Sequence, residues 1–417
     1  MAAEPSPCSR RAFLLAALSG AGTALAGCSS PGAAARLLGP LATPPAPGQV
    51  ELATVFDSPR RVREPTVTSA MLMMVGDVLV HRGVWKTGER ADGTYNFDHL
   101  FQHVADDFSS ADIAMVNQET ILGGTEMGLE GFPTFNSPQE IGDAEARAGV
   151  DVAVSATNHS MDQGFEGIER TRSFWRERHP GVRCVGISDT EEASREICLL
   201  ERSGITFAIF SYTATTNGIP LPAGKGWCVS MLGRSDIAGD VARARAAGAD
   251  IVVACPHTGT EYSLQPSAEQ RRWAQAFLKA GVDVMIGHHP HVIEPVEVLD
   301  RGDGHRMVAF WSLGNFVSSQ TELERVVGGM ARVAVERRGD AVRVAGYSMG
   351  LLVNHCARGT EMGVYRMADY TDELAARNLV NLSSTGGSLS MGWIRSFGSK
   401  VLGEGFDPAT GALSVTL

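Results

Sequence analysis

The sequence predicts a layered α/β fold, and two patterns indicate it. From about residue 68 to residue 356, short apolar runs of strand length alternate with segments of helical period. Strands that are buried on both faces have continuous apolar sequences, and helices between them cover the sheet. Polar residues also stand repeatedly at the point where an apolar run stops. Because functional sites of such folds gather at the carboxyl ends of strands, we expect a site there.

The predicted elements follow one another along the chain. Continuous apolar runs predict strands, and apolar residues spaced three or four apart predict helices. The predicted strands are residues 71–75, 114–117, 150–156, 183–187, 206–211, 251–254, 284–286 and 307–313. The predicted helices are residues 99–108, 165–178, 235–247 and 268–280.

The first residues of the chain predict an export signal. Residues 1–27 contain the pair Arg10-Arg11, followed by an apolar run that is too short for a stable transmembrane helix. This order resembles a twin-arginine export signal that ends in a lipoprotein box. In such signals the cysteine, here Cys28, carries the lipid and becomes the new N-terminus. A single lipid-bearing residue implies anchoring to a membrane and not spanning it.

Three further segments follow the predicted signal. Residues 28–65 are rich in Pro and Ala, which predicts a tether, and residues 66–360 form the predicted folded domain. Residues 361–417 have a weak pattern and are expected to pack on the domain or to be partly disordered. We therefore expect an exported protein, anchored by lipid to the outer face of the cell membrane, or a cytoplasmic one if the leader is not used.

The charge balance limits the class of partner. The chain has 36 Lys and Arg against 47 Asp and Glu, which gives a formal net charge of −11. Nucleic acids and anionic membrane surfaces are bound through basic patches, so neither is expected as the main partner. For the same reason, tight binding of an anionic polymer would need a bound metal or a local basic groove.

Five predicted strand ends carry side chains that bind metals. They offer carboxylate oxygens, an amide oxygen and imidazole nitrogens, a mixed set that divalent ions accept. The predicted ligands are Asp77, Glu119, Asn158, His257, His289 and His291. These donors suit one or two ions and do not distinguish Mn, Ca, Mg, Zn and Fe. Taken singly, Asp77, Glu119 and His257 are also explained as a turn residue, a helix cap and a core histidine.

The strongest part of this set is the segment His288-His289-Pro290-His291. Three imidazoles directly after an apolar run are hard to explain by packing, because a core would select apolar residues there. Alternate residues of an extended segment share a face, so we expect His289 and His291 to reach one centre.

A second cluster indicates acid/base chemistry. Asp162 stands three residues after His159, close enough to accept a hydrogen bond from its ring. Such a carboxylate fixes the tautomer of the imidazole and raises its basicity. The same segment is equally explained as a helix N-terminus in which Asn158 and Asp162 are caps.

Six motifs occur in order between about residues 70 and 320. They are Gly76-Asp77, Asn117-Gln118-Glu119-Thr120, Ala156-Thr157-Asn158-His159-Ser160-Met161-Asp162-Gln163-Gly164, His257-Thr258-Gly259-Thr260-Glu261-Tyr262, Gly287-His288-His289-Pro290-His291-Val292 and Ser312-Leu313-Gly314-Asn315-Phe316-Val317. Together they resemble the CapA family of poly-γ-glutamate capsule synthesis proteins, a branch of the calcineurin-like metallophosphoesterase superfamily. The resemblance implies a four-layer α/β/β/α sandwich with two central mixed sheets and a metal site at the strand ends. Within these motifs, Thr258, Glu261 and Asn315 are candidates for substrate contact.

The sequence departs from the family pattern at several positions. Gln118, Thr157 and Thr258 replace the residues that the family usually has, and Thr258 stands where a tryptophan is usual. The smaller side chain would open space beside the neighbouring histidine, which implies a different substrate. The Asp-x-His motif of broader phosphoesterases is also missing, because Asp77 is followed by His81 four residues later. One ion, or a loosely held one, is consistent with this departure.

The first functional hypothesis is metal-assisted hydrolysis. One or two divalent ions would lower the pKa of bound water and polarise the scissile group. His159, oriented by Asp162, would protonate the leaving group. The substrate would be a phosphoester or an amide in a peptide or a poly-amino acid such as poly-γ-glutamate.

Two alternatives keep the same architecture. In a peptide epimerase, two pairs of a histidine and a carboxylate would remove and return a proton at a Cα atom. The dyad just described would be one pair, and His81 or His288 with Asp77 or Glu261 would supply the second. In the other alternative, the protein is a non-catalytic anchored subunit of a complex that makes or exports a polymer.

Overall fold

The computed structural model of the chain describes residues 66–357, 361–383 and 387–417, which belong to one structural unit, Arg63–Leu417. The predicted signal and the whole of the predicted tether, with Cys28, lie outside the described residues. Within the described ranges, no helix has both the length and the apolar character that crossing a bilayer requires.

The larger of two sheets contains ten strands among the described residues. They are β1 (Val67–Val78), β2 (Ile113–Gln118), β3 (Val152–Val154), β4 (Arg183–Val185), β11 (Asn315–Val317), β12 (Val327–Arg338), β13 (Ala341–Cys356), β14 (Met362–Arg366), β15 (Phe406–Asp407) and β16 (Ala412–Thr416). Their order is β15-β16-β13-β12-β1-β2-β3-β4, with β11 also paired to β1 and β14 to β13. Strands β1 to β4 are parallel, and β12 and β13 are antiparallel to their neighbours, so the sheet is mixed.

The smaller sheet contains six strands among the same residues. They are β5 (Cys198–Arg202), β6 (Ile205–Thr213), β7 (Ile251–His257), β8 (Val284–Ile286), β9 (Val296–Asp300) and β10 (Arg306–Phe310). Their order is β5-β6-β7-β8-β10-β9. The four inner strands are parallel, and the two edge strands, β5 and β9, are antiparallel to their neighbours.

Helices follow most of the parallel strands. They are α1 (Arg82–Gly88), α2 (Asp98–Phe101), α3 (Ala105–Ser110), α4 (Glu140–Ala148), α5 (Gly164–Arg178), α6 (Ile237–Ala246), α7 (Ala268–Ala280), α8 (Asp372–Arg377), α9 (Val380–Ser383) and α10 (Met391–Leu402). Short 3₁₀ turns lie at Thr125–Met127, Ala193–Arg195, Leu323–Val326 and Met367–Asp369.

Side-chain alternation along the strands produces four layers. Leu72 of β1 packs in a central core that it shares with Phe207 of β6, so the two sheets face each other. Met73, the next residue of β1, points the other way and packs in a core with α1 to α5. In the smaller sheet, Ala208 packs outward against α6 and α7. The predicted α/β sandwich with two mixed sheets is therefore confirmed.

The predicted elements differ from the observed ones in several places. The predicted helix 99–108 is two short helices, α2 and α3. The predicted strand 307–313 ends at Phe310, because the chain leaves the smaller sheet there and crosses to the larger one, where Asn315 begins β11. The long β12–β13 hairpin was not predicted. In the C-terminal segment, β14 and β16 pair with β13, and Ile394 of α10 packs in the central core.

Candidate metal centre

The predicted site residues stand where parallel strands end. Asp77 lies near the end of β1, Glu119 directly follows β2, and Asn158 lies in the loop after β3. In the smaller sheet, His257 is the last residue of β7, and residues 288–291 follow β8. Because the two sheets face each other, the ends of these strands bring the side chains to one place.

Two glycines allow the close approach of strands at this edge. A Cβ atom at Gly76 would lie 1.9 Å from the carbonyl oxygen of Gly314, and one at Gly287 would lie 2.0 Å from that of Trp311. Real Cβ atoms do not approach backbone so closely, so only glycine fits at either position. Each glycine directly precedes a site residue, Asp77 or His288, which explains the local sequence of both motifs.

Asp77, Glu119 and His291 form the centre of the site. One ligand atom from each lies within 4.8 Å of the others, and all three side chains are buried. Asp77 Oδ2 lies 3.0 Å from His291 Nδ1, and Glu119 Oε1 lies 3.8 Å from His291 Nε2. Neither carboxylate oxygen of Glu119 has a hydrogen-bond partner. Two carboxylates and an imidazole in this arrangement can hold one cation.

His257 and Asn158 extend the site on the side of β3 and β7. His257 Nε2 lies 2.8 Å from Asn158 Oδ1 and 3.6 Å from Glu119 Oε1. Asn117 Nδ2 donates to Asp77 Oδ1 at 2.7 Å and lies 3.3 Å from His257 Nδ1. The amide of Asn117 therefore connects the carboxylate on β1 to the imidazole on β7.

The histidine segment contributes three rings, although it is not extended as predicted. His289 and His291 have φ angles of 98° and 59°, values that residues other than glycine rarely adopt. The two rings are 6.1 Å apart, and the His289 ring is 5.0 Å from that of His257. His288 is fully buried, with Nδ1 3.3 Å from Asp77 Oδ1, and neither of its ring nitrogens makes a hydrogen bond. Strain of this kind persists where the surrounding structure or a function requires it.

Unpaired polar atoms show that the site suits a cation. Both oxygens of Glu119, both ring nitrogens of His288 and Nδ1 of His289 are buried without a hydrogen-bond partner. Leaving a buried polar atom unpaired costs roughly 1–3 kcal/mol, so such groups normally have a partner. All of these atoms are metal ligands by type, and those of Glu119 belong to the group of Asp77, Glu119 and His291. The residues present therefore fit a divalent metal ion.

The electrostatics of the site are dominated by burial and by the contacts among its members. Burial raises the pKa of Glu119 well above its usual range. Burial would also raise the pKa of Asp77, but its contacts with His288 and His291 place it well below the usual range. Burial would lower the pKa of His291, yet the nearby carboxylates raise it to about 9. Without an ion, one imidazole is thus held as a cation between two acidic groups.

The predicted acid/base pair lies beside this centre. His159 Nδ1 lies 2.7 Å from Asp162 Oδ2, which also accepts the backbone N–H of Phe135 at 2.7 Å. The rings of Phe135 and His159 pack edge to face with centroids 4.7 Å apart, and the rings of Phe135 and His81 do so at 5.2 Å. Burial lowers the pKa of His81 to about 4, so this imidazole is neutral at pH 7.

The three predicted substrate contacts differ in their surroundings. Thr258 is buried, its backbone N–H donates to the carbonyl oxygen of His288, and its hydroxyl has no partner. Asn315 is also buried, and its Oδ1 lies 3.1 Å from His291 Nδ1, so it contacts a candidate metal ligand. Glu261 is exposed.

Three residues of the site were not among the predicted ones. Asn117 was noted only as part of a motif, although a buried amide at the end of an apolar strand was a signal for it. Phe135 fixes the position of Asp162 through its backbone N–H, and nothing in its local sequence indicates this. Asn217 Oδ1 accepts from Asn158 Nδ2 at 3.3 Å, from a loop 59 residues away.

Comparison with known proteins gives a family match. The family model described as bacterial capsule synthesis protein PGA_cap matches residues 71–320. The PGA biosynthesis protein CapA of Bacillus subtilis (strain 168) is 29% identical over 258 residues, which covers 59% of this chain and 62% of that protein. The capsule biosynthesis protein CapA of Bacillus anthracis is 28% identical over 257 residues, covering 60% of each chain. The chain therefore spans about three fifths of the length of these relatives.

Among solved structures, the NAD nucleotidase of Haemophilus influenzae is similar. It has a TM-score of 0.42 and 10% sequence identity, and the match covers 78% of this chain and 64% of that one. A likeness of this strength carries no information about the reaction.

Proposed function

Because the chain belongs to the PGA_cap family of bacterial capsule synthesis proteins, we propose that it is a metal-dependent enzyme that hydrolyses amide bonds in an anionic poly-amino acid such as poly-γ-glutamate. The name of one matched relative, a PGA biosynthesis protein, supports a role connected with this polymer. The observation that carries the proposal is the buried cluster of Asp77, Glu119 and His291, with unpaired ligand atoms around it and an acid/base pair beside it.

In this proposal, the ion is held by residues from both sheets. Asp77, Glu119 and His291 would hold it directly, and the donors around them are Asn158, His257 and His289. We assign His288 to this group as well and not to proton transfer, because it is fully buried and its Nδ1 lies 3.3 Å from Asp77 Oδ1. A bound divalent ion supplies polarisation of the scissile carbonyl and a lowered pKa of coordinated water.

His159 would act on the leaving group. Its Nδ1 hydrogen bonds to Asp162, which leaves Nε2 as the ring nitrogen that can reach a substrate. When the C–N bond of the amide breaks, the departing nitrogen needs a proton, and a protonated His159 can give it from Nε2. Asp162 is itself fixed by the N–H of Phe135, so the imidazole is held in one orientation and one tautomer.

Epimerisation of a peptide is the second candidate, and the surroundings of Phe135 favour it. His81 and His159 contact the same ring with interplanar angles of 86° and 88°. In this candidate function, the two imidazoles would remove a proton from a Cα atom and return one to it. This pairing selects His81 from the two histidines that the sequence left open, because His288 is buried within the metal cluster.

One assay separates these functions. The purified chain is incubated with γ-linked oligoglutamate in deuterated water, with and without added divalent ions, and the products are analysed by mass spectrometry. Hydrolysis predicts new chain ends that appear only with metal and are lost in His159→Asn, whereas the control His103→Asn keeps the activity. Deuterium at Cα in an intact chain would support epimerisation instead. Substrate binding with neither product and without metal would support the non-catalytic subunit and contradict the proposal.

The predicted leader supports a location outside the cell membrane. We propose that Cys28 carries a lipid that holds the protein at the outer face, where a surface polymer is accessible. Labelling cells with a fatty-acid analogue tests this, because wild-type protein should incorporate the label and Cys28→Ser should not. Equal labelling of both forms would contradict the proposed anchor.

A further inference from the structure

A large cleft lies away from the metal ligands, at the edges of the two sheets. It has a volume of about 890 Å³, within the range of ligand-binding cavities. Its walls include β4, the edge strand of the larger sheet, and β5, the edge strand of the smaller sheet, together with side chains of α5 and α6. We call this cavity the edge cleft. None of the metal ligands proposed above lines it.

The edge cleft is basic, unlike the molecule as a whole. Six arginines and four carboxylates line it, a local charge of +2 in a chain with a net charge of −11. Two of the arginines, Arg172 and Arg176, pair with Asp189. Arg183 and Arg234 are exposed and have no carboxylate partner among the described residues. Exposed guanidinium groups that are left unpaired in a concave wall are suited to bind carboxylates.

One loop connects the edge cleft to the metal centre. Residues 214–236 contain no helix and only isolated bridges, and a loop of this length is commonly functional. At its start, Asn217 contacts Asn158 of the metal centre, and near its end Arg234 lines the cleft. Between them, Lys225 Nζ lies 3.3 Å from the centre of the Phe165 ring, which fixes the loop on α5. A ligand in the cleft would therefore contact the same loop that touches the metal centre.

We propose that the edge cleft is a second binding site, in which Arg183 and Arg234 hold carboxylates of an anionic amino-acid chain. An acidic protein repels such a chain over most of its surface, so a basic concavity is where the chain can bind. The choice of a γ-linked glutamate chain as the ligand rests on the proposed function. The site would hold a part of the polymer distant from the bond that reacts.

Binding of a fluorescent γ-linked glutamate decamer to the full chain tests this site. Anisotropy titrations should show an affinity that falls with added salt and that is at least tenfold weaker in the double variant Arg183→Glu/Arg234→Glu. The matched control Arg306→Glu/Arg395→Glu makes the same charge change at exposed arginines outside the cleft and should stay within threefold of wild type. If the first variant does not fold, Arg183→Gln/Arg234→Gln should still weaken binding at least fivefold.

Other outcomes overturn the assignment. Equal affinities of the cleft variant and the control variant would exclude Arg183 and Arg234 as the binding residues. Tighter binding of a polyphosphate with the same number of charges would show a site for phosphate chains and not for carboxylates. His291→Gln in the presence of a chelator should keep the salt-sensitive binding. Polymer cleavage without cleft binding would therefore contradict this proposal alone, and cleft binding without polymer cleavage in the presence of a divalent ion would contradict the proposed function alone.

Discussion

Asp77 Oδ2 lies 3.0 Å from His291 Nδ1, although 214 residues separate the two in the chain. Asp77 belongs to the larger sheet, and His291 follows β8 of the smaller one, so this contact joins the two sheets at their carboxyl ends. Burying a carboxylate and an imidazolium together costs desolvation energy that their attraction often fails to offset. A fold that needed only stability would place apolar residues here. We therefore regard the contact as a consequence of function.

The first prediction concerns metal content. His291→Gln replaces one of the three candidate ligands at the centre of the cluster. Mutating a residue that only hydrogen bonds to a metal ligand typically lowers metal affinity roughly 10- to 100-fold, so the loss of affinity in His291→Gln should be larger. Elemental analysis after gel filtration, with titration of Mn and Zn, measures this. His305→Gln is the matched control, because its ring hydrogen bonds with the carbonyl oxygen of Val282, which is not part of the site. Unchanged metal content in His291→Gln would contradict the proposed ligand set.

The second prediction separates metal binding from acid/base chemistry. Asp162→Asn keeps the shape of the side chain, but an amide supports the His159 imidazolium less well than a carboxylate does. The rate of polymer cleavage should fall about 10²- to 10⁴-fold, the range typical of a lost general acid, while metal content stays unchanged. Parallel measurements of kcat/KM and of bound metal check this. Loss of metal together with activity would mean that Asp162 supports the fold of the site and not proton transfer.

Much of the fold could be predicted because one pattern carries two kinds of information. An apolar run that stops at a polar cluster marks both a buried strand and its carboxyl end, which is where Asp77, Glu119 and His257 stand. The predicted helix 268–280 is observed unchanged as α7, since Ser267 and Gln270 form a capping box that fixes its start.

The remainder depends on contacts between distant segments. The crossing of the chain from β10 to β11 requires that the two sheets lie face to face, which no local pattern shows. The roles of Phe135 and Asn217 likewise arise from backbone and amide contacts with residues far away in the sequence. The histidine segment was expected to be extended, and the positive φ angles of His289 and His291 arise from its tertiary setting.

The third prediction concerns pH and stability, at a site away from the metal. Glu145 of α4 is fully buried, neither of its oxygens has a hydrogen-bond partner, and burial raises its pKa well above the usual value of 4.5. Above pH 4.5 the unfolded chain releases this proton while the folded chain keeps it. The free energy of unfolding therefore falls by up to about 1.4 kcal/mol per pH unit as the pH rises towards the folded-state pKa.

Glu145→Gln cannot ionise, so it should be more stable than wild type at pH 8, and the difference should shrink towards pH 5. Urea unfolding at both pH values measures this. Glu140→Gln, on the same helix but only partly buried, should change the free energy of unfolding by no more than about 0.5 kcal/mol at either pH. A difference between Glu145→Gln and wild type that does not vary with pH would contradict the argument.

The fourth prediction concerns the two glycines that precede site residues. An added methyl at Gly76 or Gly287 would meet backbone carbonyl oxygens at 1.9 Å or 2.0 Å, and backbone cannot rotate away as a side chain can. Strands must then separate, at a cost of about 1–3 kcal/mol or more. Because Asp77 and His288 are the next residues, the separation should also lower the affinity for metal at least tenfold.

Gly181→Ala is the control, since nothing lies within 4 Å of its added methyl. Thermal unfolding together with metal titration measures both effects. A stable Gly76→Ala variant with wild-type metal affinity would show that the close approach of β1 to the crossing segment is not what positions Asp77.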